Sequence, residues 1–156
     1  MSKGKLKFNK NILIAVDDSE NSKRAVNYVA QILAGGRGHK VALLHVIAEP
    51  EEDYFPSRKD QQQWLAGYRE KMTALLEDYR EILRAHGFAA EAVTVQTKLR
   101  NCPSMAECIL KEREDLSYDT IVVGRQGLSR SEEFLFGSIS SKIVTHGARC
   151  TVWVVE

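Results

Sequence analysis

Three glycines and a serine mark the place where this sequence could do chemistry. Gly124 follows an apolar, β-forming run, Ile121-Val122-Val123. Gly127 comes three residues later, and after nine more residues Gly137 and Ser138 open an amphipathic stretch with Ile139, Ile143 and Val144. The order is strand, glycine loop, helix start. Glycine lets a backbone turn tightly and come within hydrogen-bond reach of a bulky anion. The first N–H groups of a helix lack intrahelical partners and lie at the positive end of its dipole, so the start of this helix is a ready anion site. Ser138 and Ser140 add hydroxyls at or next to the cap, where serine is preferred. The stretch reads as a phosphate cradle.

The elements that must position this cradle follow from the hydrophobic pattern. Asn11 to Val16 (NILIAV) is apolar enough for a strand buried on both faces, and it stops at Asp17-Asp18-Ser19. Ser19 and Ser22 offer caps for a helix striped by Ala25, Val26, Val29, Ile32 and Leu33, which Gly35, Gly36 and Gly38 bring to an end. Lys40 to Ile47 is a second continuous apolar strand, so the opening reads as a βαβ unit of a parallel sheet. Glu49 to Asp60 is the least structured stretch, read either as a solvated connector or as a lid or partner contact.

Gln61 to His86 follows as the longest helix, with Trp64, Tyr68, Met72, Leu75, Tyr79, Ile82 and Leu83 on one stripe expected to pack on the sheet. Glu91 to Thr97 alternates as an edge strand does. Cys102 to Leu116 reads as a helix with Pro103 early in it. Thr120 to Val123 is the strand before the glycine loop, Ser138 to His146 the last helix, and Cys150 to Val155 the closing strand. Five strands alternating with four helices give a doubly wound α/β sheet, with ligand expected outside the carboxyl ends of the strands at the switch point. The pattern alone leaves two strand orders open, 2-1-3-4-5 and 3-2-1-4-5.

Composition bounds the partners. A chain of 156 residues is expected to form one domain, residues 11–156, behind a basic tail at residues 1–10 that lacks the apolar stretch of a signal peptide. Twenty-two basic against twenty-one acidic residues leave a net charge of +1, so no global field points to nucleic acid or to acidic membranes. The apolar runs are strand-sized, too short to span a bilayer. Three cysteines without CxxC spacing suit neither a disulfide framework nor a zinc site, and a reducing cytoplasmic location is expected.

The spacing Gly124-x2-Gly127-x9-Gly137-Ser138 is neither GxGxxG nor a P-loop. It resembles the ATP-binding signature of the universal stress protein family, and the flanking elements from Asn11 to Glu156 fall in that family's order. The resemblance implies strand order 3-2-1-4-5 and an adenine-nucleotide site between strands one and four. By position it implies that Ala15, Val16 and Asp17 form the turn after the first strand, where the Asp meets ribose or adenine. It likewise implies that the Val46 backbone meets adenine, and that Gly124, Gly127, Gly137, Ser138, Ile139 and Ser140 contact phosphate. Arg125 stands beside them as a cation able to offset Glu132 and Glu133. Ala15 stands where many members have proline, which removes no ligand atom.

The expected ligand is ATP, ADP or AMP, with magnesium a companion of the phosphates. His39, His45, His86 and His146 are not paired by spacing with a nucleophile, and no second acidic cluster suggests a metal role. The expectation is therefore a nucleotide-binding regulator rather than an enzyme, with room for slow incidental hydrolysis. The alternative is an interaction protein of the same fold whose output is assembly. The last strand, residues 150–155, would be an apolar edge inviting strand addition, and the resemblance implies homodimers through it.

Overall fold

The computed structural model describes residues 7–35, 37–48, 52–125, 138–146 and 149–156. Five strands form one sheet: β1 (Asn11–Ala15), β2 (Lys40–Ile47), β3 (Val93–Leu99), β4 (Thr120–Gly124) and β5 (Thr151–Val155). Their order is β3-β2-β1-β4-β5 and every pairing is parallel. Between them run α1 (Glu20–Ile32), α2 (Arg58–Ala85), α3 (Met105–Leu116) and α4 (Ser138–His146), with short 3-10 turns at Glu52–Tyr54 and Ala90–Ala92. The fold is the doubly wound sheet that the pattern calls for, and of the two strand orders left open it takes 3-2-1-4-5.

Strand side chains alternate between two separate cores, because successive Cβ atoms point to opposite faces. Ile12, Ile14, Val41, Leu43 and Val122 face α1 and α2, where Val26, Val29, Leu76, Tyr79 and Leu83 close over them. Leu13, Leu44, Val46, Ile121 and Val123 face α3 and α4, against Ala106, Ile109, Ile139 and Ile143. Covering both faces explains why the central strands read as unbroken apolar runs. Each Leu, Ile or Val so buried is worth about 1.5–3 kcal/mol.

Several boundaries differ from the sequence reading, each for a local reason. α2 starts at Arg58 rather than Gln61, because the Ser57 side chain accepts a hydrogen bond from the Asp60 N–H (3.2 Å) and caps it earlier. α3 starts at Met105 rather than Cys102. Ser104 caps it by accepting from the Glu107 N–H (3.2 Å) while its hydroxyl donates to the Glu107 carboxylate, and Pro103 lies outside the helix. Residue Cys102, before a proline, is disfavoured in helical conformation. β3 is shifted to Val93–Leu99, because register pairs Val41 with Val93 and Ile47 with Leu99 and a 3-10 turn takes up Ala90–Ala92.

The stripe along α2 is a further correction. Met72, Leu76, Tyr79 and Leu83 are buried and Leu75 and Ile82 pack against the core as expected, so the correction is confined to the first turns, where Trp64 stays 37% exposed. A 28-residue helix is about 42 Å long, while the eight residues of β2 span about 27 Å. The amino-terminal turns of α2 therefore overshoot the sheet at its carboxyl edge. There Trp64 stacks on Tyr68 (ring centroids 5.1 Å, 12° between planes) and meets Phe55, which in turn meets Tyr54 edge-on. At its other end α2 stops at Gly87, whose φ of +100° and backbone approach to Gly35 (2.9 Å from a Cβ to the Gly35 Cα) suit only glycine.

Candidate functional site at the carboxyl ends of the strands

The turn after β1 is held rigidly. The Val16 N–H continues the ladder to the Leu44 carbonyl at 2.9 Å. Asp17, 7% exposed, is fixed by α1: its backbone N–H donates to Ser22 Oγ, and its Oδ1 accepts from the Ser22 hydroxyl and the Ser19 N–H, all at 2.9 Å. Ser19 is the true N-cap of α1, accepting from the Ser22 N–H at 3.1 Å. The Asp17 carboxylate therefore orders the turn through one oxygen. Its Oδ2 makes no hydrogen bond among the described residues.

A second layer comes from β2 and α2. The Tyr79 hydroxyl donates to the Asp17 carbonyl at 2.8 Å. Burial raises the Tyr79 pKa to about 12, so this donor stays protonated throughout the physiological range. His45 Nδ1 lies 2.8 Å from the Val16 carbonyl and its Nε2 3.0 Å from the Tyr68 hydroxyl. A carbonyl can only accept, so Nδ1 carries the proton and Nε2 accepts from Tyr68. Burial lowers the His45 pKa below its ordinary value, with the Val16 carbonyl and the charges of Asp17 and Asp18 opposing more weakly. His45 is thus a neutral strut that fixes the carbonyl of Val16. Tyr68 in turn ties the aromatic ladder of α2 to the site.

Across the sheet, β4 lies beside β1, with Ala15 level with Val123. Gly124 ends β4 against the first turn of α1, where a Cβ would stand 3.0 Å from the carbonyl carbon, the Cβ and the carbonyl oxygen of Asn21. Only glycine lets β4 and α1 approach this closely. The Arg125 N–H donates to the Val155 carbonyl at 2.7 Å and its guanidinium pairs with Glu156, so this cation is engaged with the end of β5. Ser138 opens α4, and Ile139 and Ser140 are buried at 8% and 4% exposure. Ile139 shares one apolar core with Ala15 and Val123. No acidic side chain lies in the first turn of α4. Gly127 and Gly137 lie outside the described residues.

Val46 belongs to the same core as Ala15, Val123 and Ile139 and also borders a second space. It is 6% exposed and lines a cleft of about 390 Å³ between β3 and α3, together with Leu44, Lys98, Cys102, Cys108 and Glu112. Of the residues assigned from sequence, this cleft takes in Val46 alone. Lys98 and Glu112 meet there at 2.5 Å, with the Glu112 side chain 7% exposed. The sequence reading missed this pair, although a signal exists. Glu112 falls three residues after Ile109 on the apolar stripe of α3, and a charge on such a stripe needs a partner.

Among the described residues no group of three His, Cys, Asp or Glu side chains could hold a metal ion, and no helix is long and apolar enough to cross a membrane. His86 caps α2 through the Ile82 carbonyl (2.8 Å), and His146 lies in the last turn of α4.

Comparison with known proteins agrees with this architecture. The chain is 32% identical over 147 residues to the putative universal stress protein SH1215 of Staphylococcus haemolyticus, covering 94% of this chain and 84% of that one. Among solved structures, the hypothetical protein MJ0577 superposes with a TM-score of 0.77 at 26% identity, over 96% of both chains. The universal stress protein UspA from Lactobacillus plantarum superposes with a TM-score of 0.77 at 19% identity, over 97% of this chain and all of that one. The family model of universal stress proteins matches residues 9–156. The chain belongs to the universal stress protein family.

Proposed function

We propose that this protein binds an adenine nucleotide across the carboxyl ends of β1 and β4 and acts as a nucleotide-responsive regulator. The observation that carries the reading is the Asp17 carboxylate. Ser19 and Ser22 hold its Oδ1 while Tyr79 holds the backbone carbonyl, with Oδ2 left over as an acceptor for a ribose hydroxyl or an adenine amino group. Ala15 and Val16 supply the rest of that turn, and the Val46 backbone follows one strand over. The phosphates would lie towards Gly124, Gly127, Gly137 and the first turn of α4 at Ser138, Ile139 and Ser140, where backbone N–H groups lack helical partners.

Two solved proteins of this fold support a nucleotide of the adenosine class. One universal stress protein has a crystal structure in complex with cAMP, and the one from Archaeoglobus fulgidus has a structure in complex with dAMP. The test is a thermal-shift titration with ATP, ADP and AMP, with and without magnesium, on the parent and on Gly127→Val. A ligand at a hundred times its Kd stabilises by about 2.7 kcal/mol, a rise of several degrees for a domain this size. A rise that the valine variant loses supports the cradle, and comparison with AMP reports whether the outer phosphates matter. No rise with any nucleotide, in folded and ligand-free protein, overturns the reading.

A second reading rests on a different observation. β5 is an edge strand among the described residues, with Val154 43% exposed and Trp153 half-buried edge-on to Tyr28. Unpaired apolar edges favour strand addition. We assign residues 150–155 as a homodimer interface, antiparallel across a two-fold axis. Val154→Pro removes a ladder donor and should give monomers by light scattering. A dimer that survives the change puts the interface elsewhere.

A further inference from the structure

The neighbourhood of α3 holds chemistry that nucleotide binding does not use. Cys102 lies in the irregular connection between β3 and α3, and Cys108 in the second turn of α3. Ser104 caps α3, and Cys102 just before it and Cys108 in the helix both pack on the core that α3 covers. Both thiols converge on one acceptor: Asn101 Oδ1 takes a hydrogen bond from Cys102 at 3.3 Å and from Cys108 at 3.9 Å. Sharing that one oxygen keeps the two sulfurs in the same small pocket at the start of α3. Both line the cleft beside Val46, and Cys102 is half-buried, so a small solute reaches the pair. Cys150 is remote. It precedes β5 at the amino end of the parallel sheet, whereas Cys102 follows β3 at the carboxyl end, about 20 Å away along the strands and on the opposite edge of the sheet.

We propose that Cys102 and Cys108 form a reversible disulfide in response to hydrogen peroxide, closing the rim of the cleft. The Cys102 thiolate attacks one peroxide oxygen, so an S–O bond forms, the O–O bond breaks, and the departing hydroxide takes a proton to become water. The Cys108 sulfur then attacks the sulfenic sulfur. The S–S bond forms, the S–O bond breaks, and the Cys108 proton leaves with the hydroxyl as the second water. Two electrons pass from the two sulfurs to one peroxide, and a dithiol reductant reverses the change. The sulfurs must close from their shared place around Asn101 Oδ1 to about 2.05 Å, a movement the non-helical residues before Ser104 supply. Cys108 beside it, followed by burial and the Glu107 charge, raises the Cys102 pKa against the opposing pull of Lys111, which lowers the thiolate fraction and slows its oxidation.

The inference is independent of the nucleotide site. The test is intact-mass and peptide analysis of the reduced full chain after treatment with hydrogen peroxide. Cleavage after Arg100 and Lys111 places both cysteines in one peptide, Asn101–Lys111, and cleavage after Arg149 isolates Cys150. The expected result is a loss of two hydrogens from peptide 101–111 and a fall from three free thiols to one. Both should be restored by dithiothreitol and unchanged in Cys150→Ser apart from its missing thiol. Cys102→Ser should abolish the two-hydrogen loss. Three thiols persisting, oxygen addition to peptide 101–111 without hydrogen loss, or pairing through Cys150 would each overturn the proposal.

Discussion

Gly124→Ala isolates one consequence of the way β4 meets α1. The added methyl would stand 3.0 Å from three atoms of Asn21, two of them backbone, where apolar contacts are comfortable at 3.5–4.0 Å. Backbone cannot swing aside as a flexible side-chain tip does, so β4 or the first turn of α1 must shift by about half an ångström. Asn21 lies between Ser19 and Ser22, and the shift would strain the hydrogen bonds that hold Asp17. Overpacking of this kind costs about 1–3 kcal/mol. For a domain of this length each kcal/mol lowers Tm by about 2–4 °C, so the fall should lie at roughly 2–12 °C. Differential scanning calorimetry of parent and variant reads it directly. A Tm unchanged within about 1 °C would show that β4 and α1 are not packed this closely, and the account of why glycine occupies this position would fail.

Gly67→Ala should behave oppositely: it lies inside α2 with open space around a Cβ, and should gain about 0.5–1 kcal/mol in the same calorimetry. Tyr79→Phe keeps the ring and removes only the donor to the Asp17 carbonyl, so chemical denaturation should show a loss of about 1 kcal/mol; an unchanged midpoint would deny that bond. Lys98→Met leaves the buried Glu112 carboxylate without its cation, and should cost about 1–2 kcal/mol in denaturant melts at pH 7; an unchanged midpoint would deny the pair a stabilising role. His45 has a folded pKa below its unfolded 6.5, so between the two values the unfolded chain binds more protons. Its contribution is fully present above about pH 6.5 and is lost as pH falls towards the folded pKa. Denaturant melts of His45→Gln should show a shallower acid slope than the parent, and equal slopes would refute the neutral strut.

Much of the fold was legible because the strands advertise their burial. β2 matches its reading end to end, and α4 does the same, since an unbroken apolar run and a clean serine start leave little choice. Boundaries failed where caps compete. Ser57 and Ser104 each displaced a helix start that hydrophobic periodicity alone had placed elsewhere. The aromatic stripe of α2 failed for a different reason: periodicity reports which residues share a face, not how far the helix extends beyond the sheet that the face meets.

The site divides in the same way. Sequence alone determined the alternation of elements, the two-sided burial of the sheet, and the Gly-Gly-Gly-Ser spacing after β4, because these depend on residue types and separations along one segment. The pattern left two strand orders open, of which the family resemblance implied the observed 3-2-1-4-5; only the tertiary structure decided the tie of Asp17 to Tyr79. It also decided the neutral tautomer of His45, the pairing of Lys98 with Glu112, and the meeting of Cys102 with Cys108 on Asn101. Tyr79 reaches Asp17 across 62 positions and His45 reaches Val16 across 29. Contacts of that kind arise from packing two helices and three strands together, and no local pattern encodes them.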